Sequence, residues 1–396
     1  MGAKGGRRTP DMSHNSRTIM IVAGETSGDL HGSNLVRAMH GIAPGLQFRG
    51  IGGRRMQEAG VELLAHASDM AVVGLTEVIV KLNQIHRVLN LMKRSLKASK
   101  PDLLILIDYP DFNLMLGKAA KACGVRVFYY ISPQVWAWRR GRIHKIRAIV
   151  DKMAVILPFE EPLYRDADVD ATYVGHPLLD TVKTKYSRQE ALEKFGLQEG
   201  STTLGLMPGS RDAEIARLLP VMMSAAEILI KKLPRLQFIL PLAETLDRAF
   251  VENILGQSPV PVRIIEHDTY DAIHLSDIVM VASGTATLET ALLGKPMVIV
   301  YKVSPISYYI GKKIVRVEHI GLANIIAGKA IVPELIQDEA NPERIATEVI
   351  NILNDPTRMR NMRQELDLIR EKMGGPGAAD RAARLACDML IPLKNY

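Results

Sequence analysis

The sequence predicts an α/β fold of two Rossmann-like halves that face each other across a cleft, followed by a helical C-terminal region. Short apolar runs alternate with helical patterns, which is typical of buried parallel strands joined by helical crossovers. The order strand, small-residue loop, helix also occurs twice, in "TIMIVAGETSGDLHG" from residue 18 and in "TTLGLMPGSRDAEIARL" from residue 202. The length of 396 residues favours two domains as well.

Eleven apolar runs are expected to form the strands. They cover 18–24, 48–53, 102–110, 125–132, 153–159 and 172–175, and then 202–210, 236–243, 262–267, 277–284 and 296–303. A polar segment near 176–201 ends in turn residues, so the boundary is placed there, between domains at 18–175 and 176–374. Residues 1–17 are basic and Gly-rich, and we expect a disordered tail. Residues 375–396 are expected to form a helix that packs back on the N-terminal domain.

Composition narrows the function classes. Only two cysteines occur, Cys123 and Cys387, which argues against a disulfide framework or a zinc ribbon. No apolar run approaches the roughly 18 residues of a membrane-spanning helix. The net charge of +7 suits nucleic acid, an anionic membrane surface or phosphorylated ligands. Nucleic acid is the least favoured, because aromatic residues make up only 5% and no RNA- or DNA-binding signature appears.

The loop "SGTATLE" stands where an apolar strand gives way to a helix. The first backbone N–H groups of a helix are unpaired and the helix dipole is positive there, so this corner suits a diphosphate. Gly284 and Ala286 let the ligand approach closely. Ser283, Thr285 and Thr287 add hydroxyl donors, and Glu289 could accept both hydroxyls of a ribose. The alternative is a capped helix start with a solvated glutamate.

The stretch "PGSRDAE" repeats this arrangement in the same half. Gly209 and Ser210 end a strand, and Arg211 begins a helix, where the dipole disfavours a cation by up to about 1 kcal/mol. An anionic ligand would explain the arginine. The alternative is an ion pair with Asp212 or Glu214.

Two acidic corners suit sugar hydroxyls. In "IDYPDFN" an apolar strand ends at Asp108, and a carboxylate there would face the cleft and could act as a general base. The alternative role is helix capping. In "GETSGD" the corner holds Glu25 and Asp29, with an ordinary capped loop as the alternative.

No resident cofactor or metal is expected. Neither a Walker A motif nor a complete G-x-G-x-x-G occurs. The "DVD" at 168–170 has the spacing of a metal motif of some sugar transferases, but it is interpreted as a surface turn.

Two segments combine basic and apolar residues in a way that suits a membrane surface. These segments are 72–97 and 132–150. The alternative for 72–97 is an ordinary core-facing helix, and the alternative for 132–150 is an exposed basic helix with its tryptophans in the core. The candidate membrane or acceptor contacts are Leu75, Ile79, Leu82, Trp136, Trp138, Arg139 and Arg140.

Taken together, the motifs resemble those of the lipid-A-disaccharide synthase family. The matching stretches, in order from about 18 to 330, are "VAGETSGDLHG", "VVGLTEV", "IDYPDFN", "YYISPQVWAWRRGRIHKI", "LPFE", "VGHPLLD", "LMPGSRDAEI", "ASGTATLE", "GKPMVIVYK" and "LANIIAG". Any one alone is weak, whereas so many in the same order are specific.

The resemblance implies a GT-B fold and the metal-free transfer of a sugar from UDP-2,3-diacylglucosamine to 2,3-diacylglucosamine 1-phosphate (lipid X). It implies nucleotide binding by Arg211, by the "SGTATLE" loop and by Asn324, and catalytic importance for Asp108, Glu25 and Ser27. It also implies peripheral association with the cytoplasmic face of the inner membrane and, for some members, homodimers that exchange C-terminal elements. Two other classes remain open: a UDP-N-acetylglucosamine 2-epimerase-like enzyme acting on a soluble sugar nucleotide, and a non-catalytic lipid-binding protein.

Overall fold

The computed structural model describes residues 17–69, 78–138, 140–233, 235–304, 308–309 and 318–390. Within these ranges the chain forms two parallel sheets, each covered by helices on both faces.

The first sheet has seven parallel strands in the order β3-β2-β1-β4-β5-β6-β7. The strands are β1 Thr18–Ala23, β2 Gln47–Gly52, β3 Val61–His66, β4 Leu103–Ile107, β5 Arg126–Tyr130, β6 Lys152–Val155 and β7 Ala171–Tyr173. Every residue of β4 is buried, which explains its continuous apolar run. The edge strand β3 was not predicted, because it is largely half-exposed and has no such run.

In the described part of the chain, seven helices accompany this sheet. They are α1 Thr26–Ile42, α2 Arg54–Glu58, α3 Val78–Ser99, α4 Pro110–Ala122, α5 Val135–Trp138, α6 Ile143–Arg147 and α7 Glu160–Arg165. One face of the sheet packs on α3 and α4, and the other packs on α1. In α3 the side chains of Leu89, Met92 and Leu96 are at most 1% exposed, so this part of the helix faces the core.

The second sheet has six parallel strands in the order β10-β9-β8-β11-β12-β13, the arrangement of a Rossmann fold. The strands are β8 Thr202–Met207, β9 Leu236–Pro241, β10 Val262–Ile265, β11 Ile278–Ala282, β12 Met297–Tyr301 and β13 Glu334–Ile336. The helices are α8 Leu178–Thr181, α9 Arg188–Phe195, α10 Asp212–Lys232, α11 Arg248–Leu255, α12 Thr269–Leu275, α13 Thr285–Leu292, α14 Leu322–Ala327, α15 Pro342–Leu353 and α16 Pro356–Lys372. The chain leaves β8 and β11 toward opposite sides of the sheet, which opens a crevice at their carboxyl ends.

A last helix, α17 Ala378–Asp388, returns to the first domain and packs on α1. Ala382, Ala383 and Ala386 are fully buried in the same core as β1, because alanine side chains let the two helices approach closely. The guanidinium of Arg381 donates hydrogen bonds to the backbone carbonyls of Val174 (2.7 Å), Pro376 (2.8 Å) and Gly375 (2.9 Å).

Candidate active site

A cleft of about 670 Å³ lies between the two domains. The first domain contributes Ser27, at the start of α1, and the second contributes the loops that follow β8, β9, β10 and β11. The cleft is therefore at the carboxyl ends of the strands, where open parallel sheets bind their ligands. The segment between α8 and α9 adds Lys183 and Lys185 to the same wall.

The loop after β8 has a conformation that requires glycine. Gly209 has a φ of 127°, and a Cβ there would come within 2.4 Å of Oε2 of Glu214. That carboxylate accepts the backbone N–H of Ser210 at 3.0 Å. The amide end of α10 therefore already binds an anionic group of the protein itself.

Arg211 stands at the N-cap of α10 and lines the cleft. Its side chain is 79% exposed, and its Nη1 lies 3.6 Å from Oε1 of Glu214. The ion pair considered as the alternative is thus present. An exposed pair of this kind is worth roughly 0–1 kcal/mol, so it leaves the guanidinium available to an anion in the cleft.

The N-terminus of α13 opens onto the same cleft. Gly284 caps it with a φ of 153°, nothing lies within 4 Å of the position where a Cβ would stand, and Thr285 is exposed. Ser283 and Ala286 also line the cleft, and the Ser283 hydroxyl donates to the backbone carbonyl of Ile320 at 2.9 Å. Four consecutive residues, 283–286, thus present small side chains and a helix end to the cleft.

Glu289 lies further along α13 and lines the cleft. The hydroxyl of Tyr270 donates a hydrogen bond to its Oε1 at 3.2 Å. Burial raises the pKa of Glu289, and the bond from Tyr270 opposes that shift. One oxygen of this carboxylate is therefore held by Tyr270 in the wall of the cleft.

Thr287 and Asn324 do not line the cleft, so the predicted direct contacts with nucleotide need correction. Both are fully buried. The Thr287 hydroxyl donates to the Gly284 carbonyl at 2.7 Å and accepts the amide of Leu322 at 3.2 Å. The Asn324 side chain bonds the backbone of Ile331 and Val332 and the carboxylate of Glu334. Their polar atoms hold loops in place.

A second, smaller cavity of about 230 Å³ contains Asp108. Asp108 and Tyr109 have φ values of 44° and 46°, so the turn between β4 and α4 places two consecutive non-glycine residues in the left-handed region. The turn is held by hydrogen bonds to the Asp108 carbonyl from Asn113 Nδ2 (2.5 Å) and the Tyr129 hydroxyl (2.6 Å). A strained turn held this firmly is typical of functional sites.

Burial, and secondarily the charge of Glu25, raises the pKa of Asp108 to about 6. The carboxylate is therefore a stronger base than an exposed one and is still mostly ionised at neutral pH. Gly24 lets the loop after β1 pack closely against the turn after β4, since a Cβ at this position would lie 2.6 Å from the ring of Tyr109. The segment 24–27 therefore packs against the Asp108–Tyr109 turn at Gly24 and lines the main cleft at Ser27.

Two buried acids have roles that the sequence did not show. Asp29 accepts the backbone amides of Gly53 (2.7 Å), Met56 (3.0 Å) and Arg55 (3.1 Å), so it caps α2. Glu160 lines the Asp108 cavity and is 1% exposed. Burial raises its pKa to about 7 against the effect of its hydrogen bonds. In the sequence, this acid directly follows an apolar run and ends the matching stretch "LPFE", but neither feature indicates its role.

Of the seven candidate membrane or acceptor contacts, the structure describes the side chain of Trp136 alone. Trp136 is 5% exposed, packs edge-on against Phe159 at 5.0 Å and donates its indole N–H to Glu160, so it belongs to the core. This corrects its assignment to a surface contact. Leu75 and Arg139 lie outside the described residues. The side chains of Ile79, Leu82, Trp138 and Arg140 also lie outside them, although their backbone is described. None of the helices in the described part of the chain has the length and apolarity that a membrane span requires.

The "DVD" segment is a turn in which both carboxylates are paired with basic side chains. Asp168 has a φ of 56° and lies 3.1 Å from Arg147, and Asp170 lies 2.7 Å from Lys152.

Comparison with known proteins identifies the family. The family model described as "Lipid-A-disaccharide synthetase" matches residues 19–386. A lipid-A-disaccharide synthase of Syntrophus aciditrophicus is 56% identical over 377 residues, which cover 95% of this chain and 98% of that protein.

Two solved structures share the fold at low sequence identity. MurG of Acinetobacter baumannii superposes with a TM-score of 0.58 at 15% identity, covering 94% of this chain and 99% of its own. The calicheamicin glycosyltransferase CalG4 gives a TM-score of 0.60 at 14% identity, covering 96% of this chain and 100% of its own. With the two parallel sheets, these likenesses confirm the predicted GT-B fold. The chain therefore belongs to the lipid-A-disaccharide synthase family, the glycosyltransferases of lipid A biosynthesis.

Proposed function

We propose that the enzyme transfers the sugar of UDP-2,3-diacylglucosamine to the 6-hydroxyl of lipid X with inversion at the anomeric carbon, giving a β-1,6-linked disaccharide 1-phosphate and UDP. One observation carries the proposal. The N-termini of α10, with Arg211, and of α13 open onto a single interdomain cleft, and the segment 24–27, which contributes Ser27 to that cleft, also places Glu25 near enough to Asp108 to help raise the pKa of that carboxyl.

The donor half of the proposal rests on the second domain. The N–H groups at Thr285 and the guanidinium of Arg211 are donors for a diphosphate, and both would stabilise the charge that develops on departing UDP. The carboxylate of Glu289 would accept the ribose hydroxyls, with Tyr270 holding it in place. This charge stabilisation is of the kind that a metal ion supplies in other transferases, so we propose that the reaction needs no metal and no further cofactor.

The acceptor half rests on the first domain. Asp108 would take the proton of the attacking hydroxyl while the oxygen of that hydroxyl bonds to the anomeric carbon and the bond from that carbon to UDP breaks. Glu25 would keep Asp108 basic through its charge, since it contributes to the raised pKa of that carboxyl. Ser27 faces the second domain across the cleft and could donate to a substrate oxygen there.

Both proposed substrates carry acyl chains, which a cytoplasmic enzyme would have to collect from a membrane. We propose that it works at the anionic cytoplasmic face of the inner membrane, bound peripherally. The net charge of +7 favours such a surface, since each basic residue near an anionic leaflet contributes about 1 kcal/mol. A homodimer is a further proposal from the family resemblance, whereas a nucleic-acid partner is not proposed.

The decisive experiment follows UDP release with and without lipid X. The proposal expects UDP release, together with a disaccharide 1-phosphate, only when both lipid substrates are present in detergent micelles. An enzyme of the epimerase type would change its sugar nucleotide without lipid X, and a lipid-binding protein would release no UDP. Either result would overturn the proposal.

A further inference from the structure

The wall of the Asp108 cavity is formed by the loop after β5, which includes Ile131, Ser132, Pro133 and Gln134. This loop begins with an unfavourable backbone conformation. Ile131 has a φ of 64°, and a β-branched residue is a pronounced outlier in that region. Its amide is nevertheless bonded to the carbonyl of Ala154 at 3.0 Å. Something must therefore hold the residues that follow it in place.

The carboxylate of Glu160 supplies that restraint. Its Oε1 accepts the Ser132 hydroxyl at 2.7 Å and the Trp136 indole N–H at 3.0 Å, and its Oε2 accepts the Leu157 amide at 3.1 Å. One buried side chain thus joins both ends of the loop after β5 to the loop after β6. The Tyr164 hydroxyl adds a bond to the Pro133 carbonyl at 3.1 Å from the same helix, α7.

Three donors converge on Glu160 and use three of the about four acceptor positions of a carboxylate. A glutamine has the same shape but puts an N–H₂ group where one oxygen accepted a hydrogen bond. It would therefore face at least one of these donors with another donor, and the loop would lose part of its restraint.

We propose that Glu160 is a positioning residue for the acceptor sugar, which acts by holding the loop 131–136 as one wall of the cavity around Asp108. This inference rests on the proposed function, because it takes the Asp108 cavity to be the place where the acceptor hydroxyl binds. The effect on the acceptor is indirect and passes through Ser132 and Trp136.

The test compares Glu160→Gln with Glu161→Gln in steady-state kinetics. Glu161 is the neighbouring acid of α7, pairs with Arg165 at 2.6 Å and accepts the Tyr173 amide at 3.1 Å, away from the cavity. Glu160→Gln should raise the KM for lipid X about tenfold, the size of one lost hydrogen bond, and leave the KM for the UDP-sugar unchanged. Glu161→Gln should change neither constant. Equal effects of the two variants, or equal changes in both KM values, would overturn the proposal.

Hydrogen exchange separates this inference from the proposed function. Amides of 131–137 should exchange faster in Glu160→Gln than in wild type, while those of the second domain should not change. If lipid X proves not to be the acceptor, this result still shows that Glu160 restrains the loop. If Glu160→Gln does not fold, Ser132→Ala removes a single donor and should show the same selective effects at smaller size. Unchanged exchange at 131–137 in a folded variant would overturn the restraint.

Discussion

At the scale of single residues, Asp108 has surroundings that destabilise the ionised form of its carboxyl group. Burial and the neighbouring Glu25 raise its pKa to about 6, and the backbone at Asp108 and Tyr109 is strained. Both features lower stability and suit a base that must take a proton near neutral pH.

We predict that Asp108→Asn lowers kcat by about 10²–10⁴-fold, because asparagine keeps the size but cannot accept the proton. In wild type, kcat/KM should rise with pH and level off above about pH 6, and the variant should lose this limb. Initial rates measured between pH 5 and 8 check both points. Asp111→Asn is the control and should change little, since its carboxylate is exposed in the first turn of α4. A rise in acceptor KM with kcat near wild type would show that Asp108 only orients the acceptor.

The Asp108→Asn variant should also have a larger free energy of unfolding than wild type at pH 7. The folded pKa lies above the ordinary value of 3.8, so the folded state binds more protons between pH 3.8 and about 6. Stability contributed by this group is therefore lost as pH rises through that window. Asp108→Asn removes the loss, and we expect a gain of about 1–3 kcal/mol in the free energy of unfolding by urea at pH 7. No gain would show that the carboxylate is not destabilised by burial.

Arg211 illustrates the opposite situation, an exposed charge of little use to the fold. We predict that Arg211→Ala weakens UDP binding about tenfold to a hundredfold, because a charge-assisted contact is worth roughly 1.5–3 kcal/mol. Calorimetric titration with UDP measures the change. Arg248→Ala is the control, since that arginine is also exposed and ion-paired, to Glu252 and Glu266, but lies outside the cleft. Equal affinities of wild type and Arg211→Ala would remove Arg211 from the site.

Among the elements, α3 covers most of 72–97, one of the two segments predicted to contact a membrane surface. The side chains of its later part face the core, which agrees with the alternative of an ordinary core-facing helix for that part. The prediction for Leu75, Ile79 and Leu82 stays open, because their side chains lie outside the described residues.

We predict that the protein binds vesicles with anionic lipid and that replacing Leu75, Ile79 and Leu82 by serine weakens this binding several-fold. Binding should also fall with salt, because the Debye length shrinks to about 3 Å at 1 M. Vesicle sedimentation measures it. Leu368→Ser on α16 is the control, as that leucine is 47% exposed on the second domain. If the triple variant unfolds and wild type ignores vesicles, the start of this segment belongs to the core.

At the level of the whole molecule, the chain end is tied to the first domain through Arg381. We predict that Arg381→Ala lowers the free energy of unfolding by about 1–3 kcal/mol, because the Val174 carbonyl loses its donor from the guanidinium. Both tryptophans of the chain are in the first domain, so their fluorescence reports on that domain during urea unfolding. Arg384→Ala, one turn further along the exposed face of α17, is the control and should change stability by less than about 0.5 kcal/mol. Equal effects would show that the contacts of Arg381 do not stabilise the domain.

The enzyme as a whole should keep its activity in EDTA. The reason is that Arg211 and the helix N-termini already provide positive potential for the leaving diphosphate. The measurement is UDP release in wild-type enzyme before and after chelation, with and without added magnesium or manganese. A loss in EDTA that either ion restores would reverse the proposal of metal-free transfer.

The sequence by itself determined the class of fold and the loops that line the two cavities. Buried parallel strands leave continuous apolar runs, and the residues that follow such a run must lie at the carboxyl edge of the sheet. This is why the loops at Gly209–Arg211, at Ser283–Ala286 and at Asp108 could be named in advance, and each lines a cavity. Strands β3 and β13 were not predicted from the sequence, because edge strands with half-exposed residues lack a continuous apolar run.

Only the tertiary structure decided which side chains of the predicted segments face a cavity and which are buried. Thr287 and Asn324 lie in segments that the sequence singled out, but both side chains are buried, and Trp136 contacts a buried acid instead of the surface. The physical reason is the separation of partners along the chain. Ser132 and Glu160 are 28 positions apart, and the Tyr173 hydroxyl bonds the Met373 carbonyl across 200. Periodicity records how deeply a residue is buried in its own element, whereas its partner depends on how distant elements pack together.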